Sequence, residues 1–334
     1  MMNKKIGFEA EHREQIATAL SENLGIKNED TQNRFIDAIE QSGMIRGFGF
    51  GSLLTYSHFQ NADNSFKPEL TENFPDIDTE GLIKVKPATL YGYERDFVCY
   101  DTHYRGTPEE PGITLGLDQM DDAKTPGGVL ETDVSSMSPA MAAAFTQFYL
   151  ESFAEREMPP NMPIYTFDFL DVDITNRGQV PALVCVADNE GPLYIHNENN
   201  DFAKQDPDYY IERGDASAKA TILATAHGGD NAPGAGIPGK MTDLDYLRGV
   251  IDSSFEKNIP VEPRFHDLYT RAIIERASMD PDDRDFLESM ELDGDASNKI
   301  NLLEEFTRKV EAHNAALFAS MDHDVDGLDE YTHH

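Results

Sequence analysis

The sequence predicts an α+β protein: a mixed or antiparallel sheet curling into a barrel, helices packed on it, and a small acidic helical region at the C-terminal end. Three observations carry this expectation. Short apolar runs broken by Gly, Pro and Asp read as strands, at Ile45–Phe50, Ile83–Val85, Phe97–Tyr100, Ile113–Leu117, Ile164–Leu170 and Val180–Val186. One strong helical pattern interrupts them, opened by Ser138-Pro139 and ended by Pro159-Pro160. From about Ala216 to Ala277 the pattern is helical again, apart from a Gly/Pro/Asn loop at His227–Gly239, and beyond Ser278 the composition turns to Asp and Glu.

The first residues add a further element. Ile16, Leu20 and Leu24 recur at helical spacing, then Phe35, Ile36 and Ile39, with Gly43 placed as a C-cap. The chain therefore divides into a helical extension at 1–43, a catalytic-sized region at 44–277 and an acidic helical region at 278–334.

Charge limits the partners. With 62 Asp and Glu against 27 Lys and Arg, the formal charge is -35, and no basic run reverses the sign locally. Such a surface repels phosphate backbones, so neither nucleic acid nor an anionic membrane is an expected partner. No apolar stretch approaches the roughly 20 residues of a spanning helix and Met1–Glu11 lacks a secretory pattern, so the expected compartment is the cytoplasm. Cys99 and Cys185 lie inside strand-like runs and read as small buried hydrophobes.

One carboxylate stands out. Counting back in fours from Glu157 gives Phe153, Tyr149, Phe145 and Met141, an apolar stripe, whereas Glu151 and Glu155 fall on other faces. A carboxyl group at the end of an aromatic stripe is desolvated, which raises its pKa and suits it to proton transfer. An ion pair with adjacent Arg156 is the bland alternative.

Upstream, Ile45-Arg46-Gly47-Phe48-Gly49-Phe50-Gly51-Ser52-Leu53-Leu54 reads as a strand entering a glycine turn, without the Lys or spacing of a P-loop. It is followed by Gly92-Tyr93-Glu94-Arg95-Asp96-Phe97, by His103-Tyr104-Arg105-Gly106-Thr107-Pro108-Glu109-Glu110-Pro111-Gly112, and by Arg156-Glu157 closing the long helical pattern. In this order the motifs resemble those of the gamma-glutamylcyclotransferases of the ChaC type, which act on glutathione. A late echo is Asp245-Tyr246-Leu247, and the resemblance spans roughly Met44 to Pro260. Two departures are visible: Phe50 stands where the family carries Tyr, and the Leu54–Leu90 stretch and the His227–Gly239 loop are long.

The resemblance implies a gamma-glutamylcyclotransferase-like fold, a mixed β-barrel with packed helices, and cyclisation of a gamma-glutamyl group to 5-oxoproline. The substrate is then glutathione or another gamma-glutamyl amine or peptide. The substrate's own α-amine is the nucleophile, so the enzyme needs one carboxylate of raised pKa to carry a proton, the role that falls to Glu157. Substrate contact falls to Phe50, Gly51, Ser52, Leu53, Tyr104, Arg105, Gly106 and Tyr246, with backbone N–H groups around Gly51–Leu53 holding a carboxylate or oxyanion. No cofactor or metal is required for that chemistry. A calcium-responsive binding protein on an inactive cyclotransferase fold is the competing class, favoured by Phe50 and opposed by Glu157. His227-Gly228-Gly229 looks like a lipase oxyanion segment, but no G-x-S-x-G elbow accompanies it, and no histidine pair has zincin spacing.

The acidic region holds a calcium pattern of its own. Asp293, Asp295, Ser297, Lys299 through its carbonyl, Asn301 and Glu304 occupy the ligand positions of an EF-hand loop, with Ile300 at position eight and Asn298 replacing the usual Gly. Phe286 and Leu287 before the loop, and Phe306 and Val310 after it, supply apolar helix faces. A second series, Asp322, Asp324 and Asp326, meets His333 at position twelve, and Glu330 arrives early, so this loop is the weaker site.

Overall fold

The computed structural model describes residues 5–54, 59–60, 66–79, 81–102, 105–158, 163–226, 243–279, 304 and 306–319. Two helices come first: α1 (Ala10–Leu24) and α2 (Glu29–Ser42), each stopped by a glycine in the left-handed region, Gly25 at φ +67° and Gly43 at φ +68°. Asn28 caps α2 by accepting the Thr31 N–H. Their buried faces, Ile16, Leu20 and Leu24 on α1 and Phe35, Ile36 and Ile39 on α2, join the main core. Phe35 meets Phe169 edge to face at 5.2 Å, and Gln15 donates to Gln147 of the long helix, so 10–42 is built onto the barrel.

Five strands follow: β1 (Met44–Gly49), β2 (Ile83–Asp101), β3 (Gly112–Asp133), β4 (Tyr165–Ile174) and β5 (Gly178–Ala187). They close a barrel in the order β1-β3-β2-β4-β5. Every pairing is antiparallel except the closure, where β1 runs parallel to β5 with Gly47 opposite Leu183. The sheet is thus mixed, as expected. Strand length is not: two of the short runs, Ile83–Val85 and Phe97–Tyr100, are the ends of the 19-residue β2, paired along the 22-residue β3. The apolar runs missed this because the middle of the hairpin is solvated. Its ladder is shifted where Tyr91 pairs with Lys124 and Tyr93 with Gln119, leaving β3 residues 120–123 to bulge opposite Gly92.

A 3₁₀ turn at Ser52–Leu54 follows β1, and the short α3 spans Pro68–Asn73. The long helix α4 (Pro139–Glu157) starts as its sequence demands, Ser138 accepting the Met141 N–H and Pro139 occupying the first turn. Phe145, Tyr149 and Phe153 are fully buried, but Met141 is 40% exposed, so the apolar stripe begins one turn later than its periodicity implied. The first turn meets the core through Ala142 and Ala143 instead, both fully buried. Truncating Phe153 to Ala would remove about 3–5 kcal/mol of stability.

Beyond the barrel come α5 (Ala216–Thr225), α6 (Asp243–Glu256) and α7 (Pro263–Met279). A last helix, α8 (306–319), lies against the α6–α7 connection. Val310 is buried there and Phe306 stacks over His266 at 5.6 Å and tilts on Tyr269 at 5.2 Å. Cys99 and Cys185 are free and buried.

Candidate active site

The glycine motif is the strand β1 running into the 3₁₀ turn, where Leu54 N–H donates to Gly51 O. Its glycines are there for close approach: neither Gly47 nor Gly51 has positive φ. A Cβ at Gly47 would stand 2.8 Å from the Tyr149 hydroxyl and 3.2 Å from the Phe153 ring, so this glycine lets α4 pack on the barrel. A Cβ at Gly51 would stand 2.8 Å from the Tyr246 hydroxyl on α6. Phe50 and Leu53 are buried in the core, Phe50 tilted on Phe48.

Arg95, on β2 inside the Gly92–Phe97 motif, holds that turn. It is fully buried, its Nη1 donates to the Phe50 carbonyl, and its Nε and Nη2 make a forked pair with Glu262, the Nε bond being 3.1 Å. The Phe265 ring lies 4.6 Å from its guanidinium. Sequence reading quoted Arg95 as part of a motif without giving it a task.

Glu157 closes α4, with its carboxyl 11% exposed and 3.0 Å from Arg156 Nε. The carboxyl is thus both desolvated and ion-paired. Burial pushes its pKa up, while Arg156 and then Arg105 pull the other way without cancelling the rise. Tyr165, Tyr246 and Cys185 all sense its charge.

Arg105 comes from the segment between β2 and β3. Asp101, fully buried at the end of β2, accepts a hydrogen bond from its Nη1. Its guanidinium lies over Tyr246, 3.7 Å from the ring centroid, a cation–π contact. Gly106 beside it permits a tight turn: a Cβ would fall 2.0 Å from the Gly112 nitrogen. Tyr165 on β4 donates to Leu115 O, and both its phenol and that of Tyr246 interact with the Thr114 side chain. Burial raises the pKa of both phenols, so each keeps its proton at neutral pH and remains an O–H donor.

Glu157, Arg105, Tyr246 and Gly51 are therefore gathered from α4, the β2–β3 connection, α6 and the glycine turn. Ser52 and Leu53 follow Gly51 in the 3₁₀ turn. Tyr104 lies outside the described residues, as do Asp293, Asp295, Ser297, Lys299, Asn301, Asp322, Asp324, Asp326, Glu330 and the His227–Gly239 loop. Glu304 is described and exposed. Sequence reading missed Tyr165, Thr114, Asp101 and Glu262. Tyr165 lies on a strand whose alternation hides it among ordinary inward aromatics, and Glu262 carries no local pattern at all.

Comparison with known proteins agrees with the motifs. Residues 80–228 match the family model described as ChaC-like protein. No curated protein matches the chain. Among solved structures, two crystal structures of a glutathione-specific gamma-glutamyl cyclotransferase from yeast align with TM-score 0.42: one, selenomethionine-labelled, at 16% identity over 71% of this chain and 99% of that one, the other at 15% over 70% and 99%. A further structure described as gamma-glutamyl cyclotransferase aligns at TM-score 0.25 and 12% identity, over 43% of this chain and 66% of that one. Likeness at these TM-scores is loose and decides nothing about activity. The ChaC-like match stops short of the glycine turn on one side and of Tyr246 on the other.

Proposed function

We propose that this protein is a gamma-glutamylcyclotransferase acting on glutathione, with Glu157 as general acid and base. The observation that carries this reading is a desolvated carboxyl of raised pKa meeting a cation, two protonated phenols and a side-chain-free turn. In the reaction, ionised Glu157 takes a proton from the substrate's α-ammonium. The freed amine attacks the γ-carbonyl carbon, forming the ring C–N bond. The amide C–N bond then breaks as Glu157 returns the proton to the leaving nitrogen, and the second proton of the ring nitrogen passes the same way, so the lactam keeps one N–H and the released amine departs as an ammonium. The products are 5-oxoproline and Cys-Gly; no water is consumed and no electron changes hands.

Charge developing on the γ-carbonyl oxygen needs donors already in place. The phenol of Tyr246 and the backbone N–H groups following Phe50 are groups of that kind, whereas the Tyr165 O–H is held by the Leu115 carbonyl. Arg105 supplies positive charge for a substrate carboxylate. Its pairing with Asp101 and its stacking on Tyr246 fix the guanidinium plane beforehand, which lowers the ordering cost on binding.

Incubation with glutathione and detection of 5-oxoproline with Cys-Gly tests the reading. Parallel incubation with other gamma-glutamyl amines and peptides separates glutathione specificity from general cyclotransferase action. Production of neither product from any of them would leave the inactive-fold class. We also propose calcium binding at Asp293–Glu304, supported by the order of oxygen ligands in the sequence.

A further inference from the structure

We propose that α8 is a positioning element for the glycine turn, acting through Asn314, Val261, Glu262 and Arg95. The proposal rests on the cyclotransferase reading for what the turn binds, but not for the mechanical link itself. Asn314 takes both backbone groups of Val261: its Oδ1 accepts the Val261 N–H at 3.0 Å and its Nδ2 donates to the Val261 carbonyl at 2.8 Å. An amide side chain used this way imitates a sheet partner and pins one peptide segment in register. His313, the preceding residue, lies with Nε2 3.0 Å from the Ile259 carbonyl.

The pinned segment has one consequence for the site. Glu262 directly follows Val261, and its carboxylate is the forked partner of Arg95. Arg95 in turn holds the Phe50 carbonyl, the peptide from which Gly51 begins. Arg264 Nη2 is also within 3.9 Å of Glu262, so without a fixed backbone the carboxylate has a second cation to turn toward. The link is thus a chain of directional bonds, each with its donor or acceptor buried or partly buried. α8 lies outside the segment matched by the family model.

The test uses the full-length protein. Asn314→Ala removes both bonds to Val261; Asn314→Asp keeps the acceptor and loses the donor; Lys309→Ala, on the same helix, removes only a contact over Phe255. Amide exchange measured without substrate should show the Leu54 N–H, bonded to Gly51 O, exchanging about fivefold faster or more in Asn314→Ala. Asn314→Asp should fall between, and Lys309→Ala should match wild type. In a Glu262→Gln background, Asn314→Ala should add nothing, because the link is already broken. With glutathione, Asn314→Ala should raise KM about threefold or more while kcat stays within about twofold.

Unchanged Leu54 exchange in Asn314→Ala overturns the proposal, as does a full additive effect on top of Glu262→Gln. If wild type makes no 5-oxoproline, the functional reading fails while the exchange result still decides the link. Should Asn314→Ala fail to fold, Asn314→Asp, alone and in the Glu262→Gln background, carries the same comparison.

Discussion

Gly51 stands so close to Tyr246 that a methyl group on its Cα would lie 2.8 Å from the phenol oxygen. The glycine turn and α6 therefore share one wall. Because Arg105 stacks on the other side of the relationship, over the Tyr246 ring, a shift of that tyrosine is transmitted to the cation of the site. Overpacking of this kind costs about 1–3 kcal/mol in a packed interior. Gly51→Ala should lower kcat/KM about tenfold, chiefly through KM. Removing the phenol oxygen relieves the clash, so the loss caused by Gly51→Ala should be smaller in a Tyr246→Phe background. Steady-state kinetics on the four proteins of this cycle check it; equal losses in both backgrounds would mean that the methyl acts elsewhere.

Glu157→Gln should reduce kcat at least ~100-fold, since the amide fills the same volume but cannot accept and return a proton. Circular dichroism and glutathione binding should be close to wild type. Retention of more than about half the activity would remove Glu157 from the mechanism.

The pH dependence follows from the ionisation required. Burial holds the Glu157 pKa above the usual carboxylate range, and the base must be ionised in the free enzyme. A profile of kcat/KM should rise with pH through a midpoint above that range and then level off. Arg156 opposes the rise, so Arg156→Gln should move the midpoint to higher pH. The same raised pKa means that the carboxyl's contribution to folding is present in acid and fades as pH climbs through its folded value. A midpoint that moves to lower pH in Arg156→Gln would contradict the electrostatic account.

Glu131 has the opposite sign. Burial alone would raise its pKa, but hydrogen bonds from Arg177 at 2.8 Å and Arg46 at 3.0 Å outweigh burial and hold it below the usual range. Its contribution to stability is therefore present above the ordinary carboxylate pKa and lost as pH falls through the folded one. Glu131→Gln leaves buried Arg46 poorly partnered and should cost about 3–5 kcal/mol near neutrality. Thermal unfolding of both proteins across pH should show the gap narrowing in acid; a constant gap would sink this assignment.

Calcium should bind at Asp293–Glu304 with Kd of roughly 10⁻⁶ to 10⁻³ M, weakened by few carboxylates, and Glu304→Gln should remove most of the affinity. Titration calorimetry on wild type and Glu304→Gln decides this, and equal heats would eliminate the loop as a site. Turnover with calcium and with chelator, on the full chain, then tells whether binding reaches the cyclotransferase site.

Local rules determined much of this protein without help from the fold. Ser138-Pro139 starts α4, Gly25 and Gly43 stop the first two helices, and the recurrence of Phe145, Tyr149 and Phe153 carries Glu157 inward, because capping, backbone freedom and helical period act within a few residues. The ordered motifs likewise picked out Gly51, Arg105 and Tyr246 as a set. Tertiary structure alone decided what those residues meet. The long β2–β3 hairpin runs through solvated residues that no apolar pattern marks, so its extent depends on the pairing. Glu262 reaches Arg95 across the fold, and Asn314 fixes the residue before it, because hydrogen bonds are set by where distant backbones pass and not by any spacing along the chain.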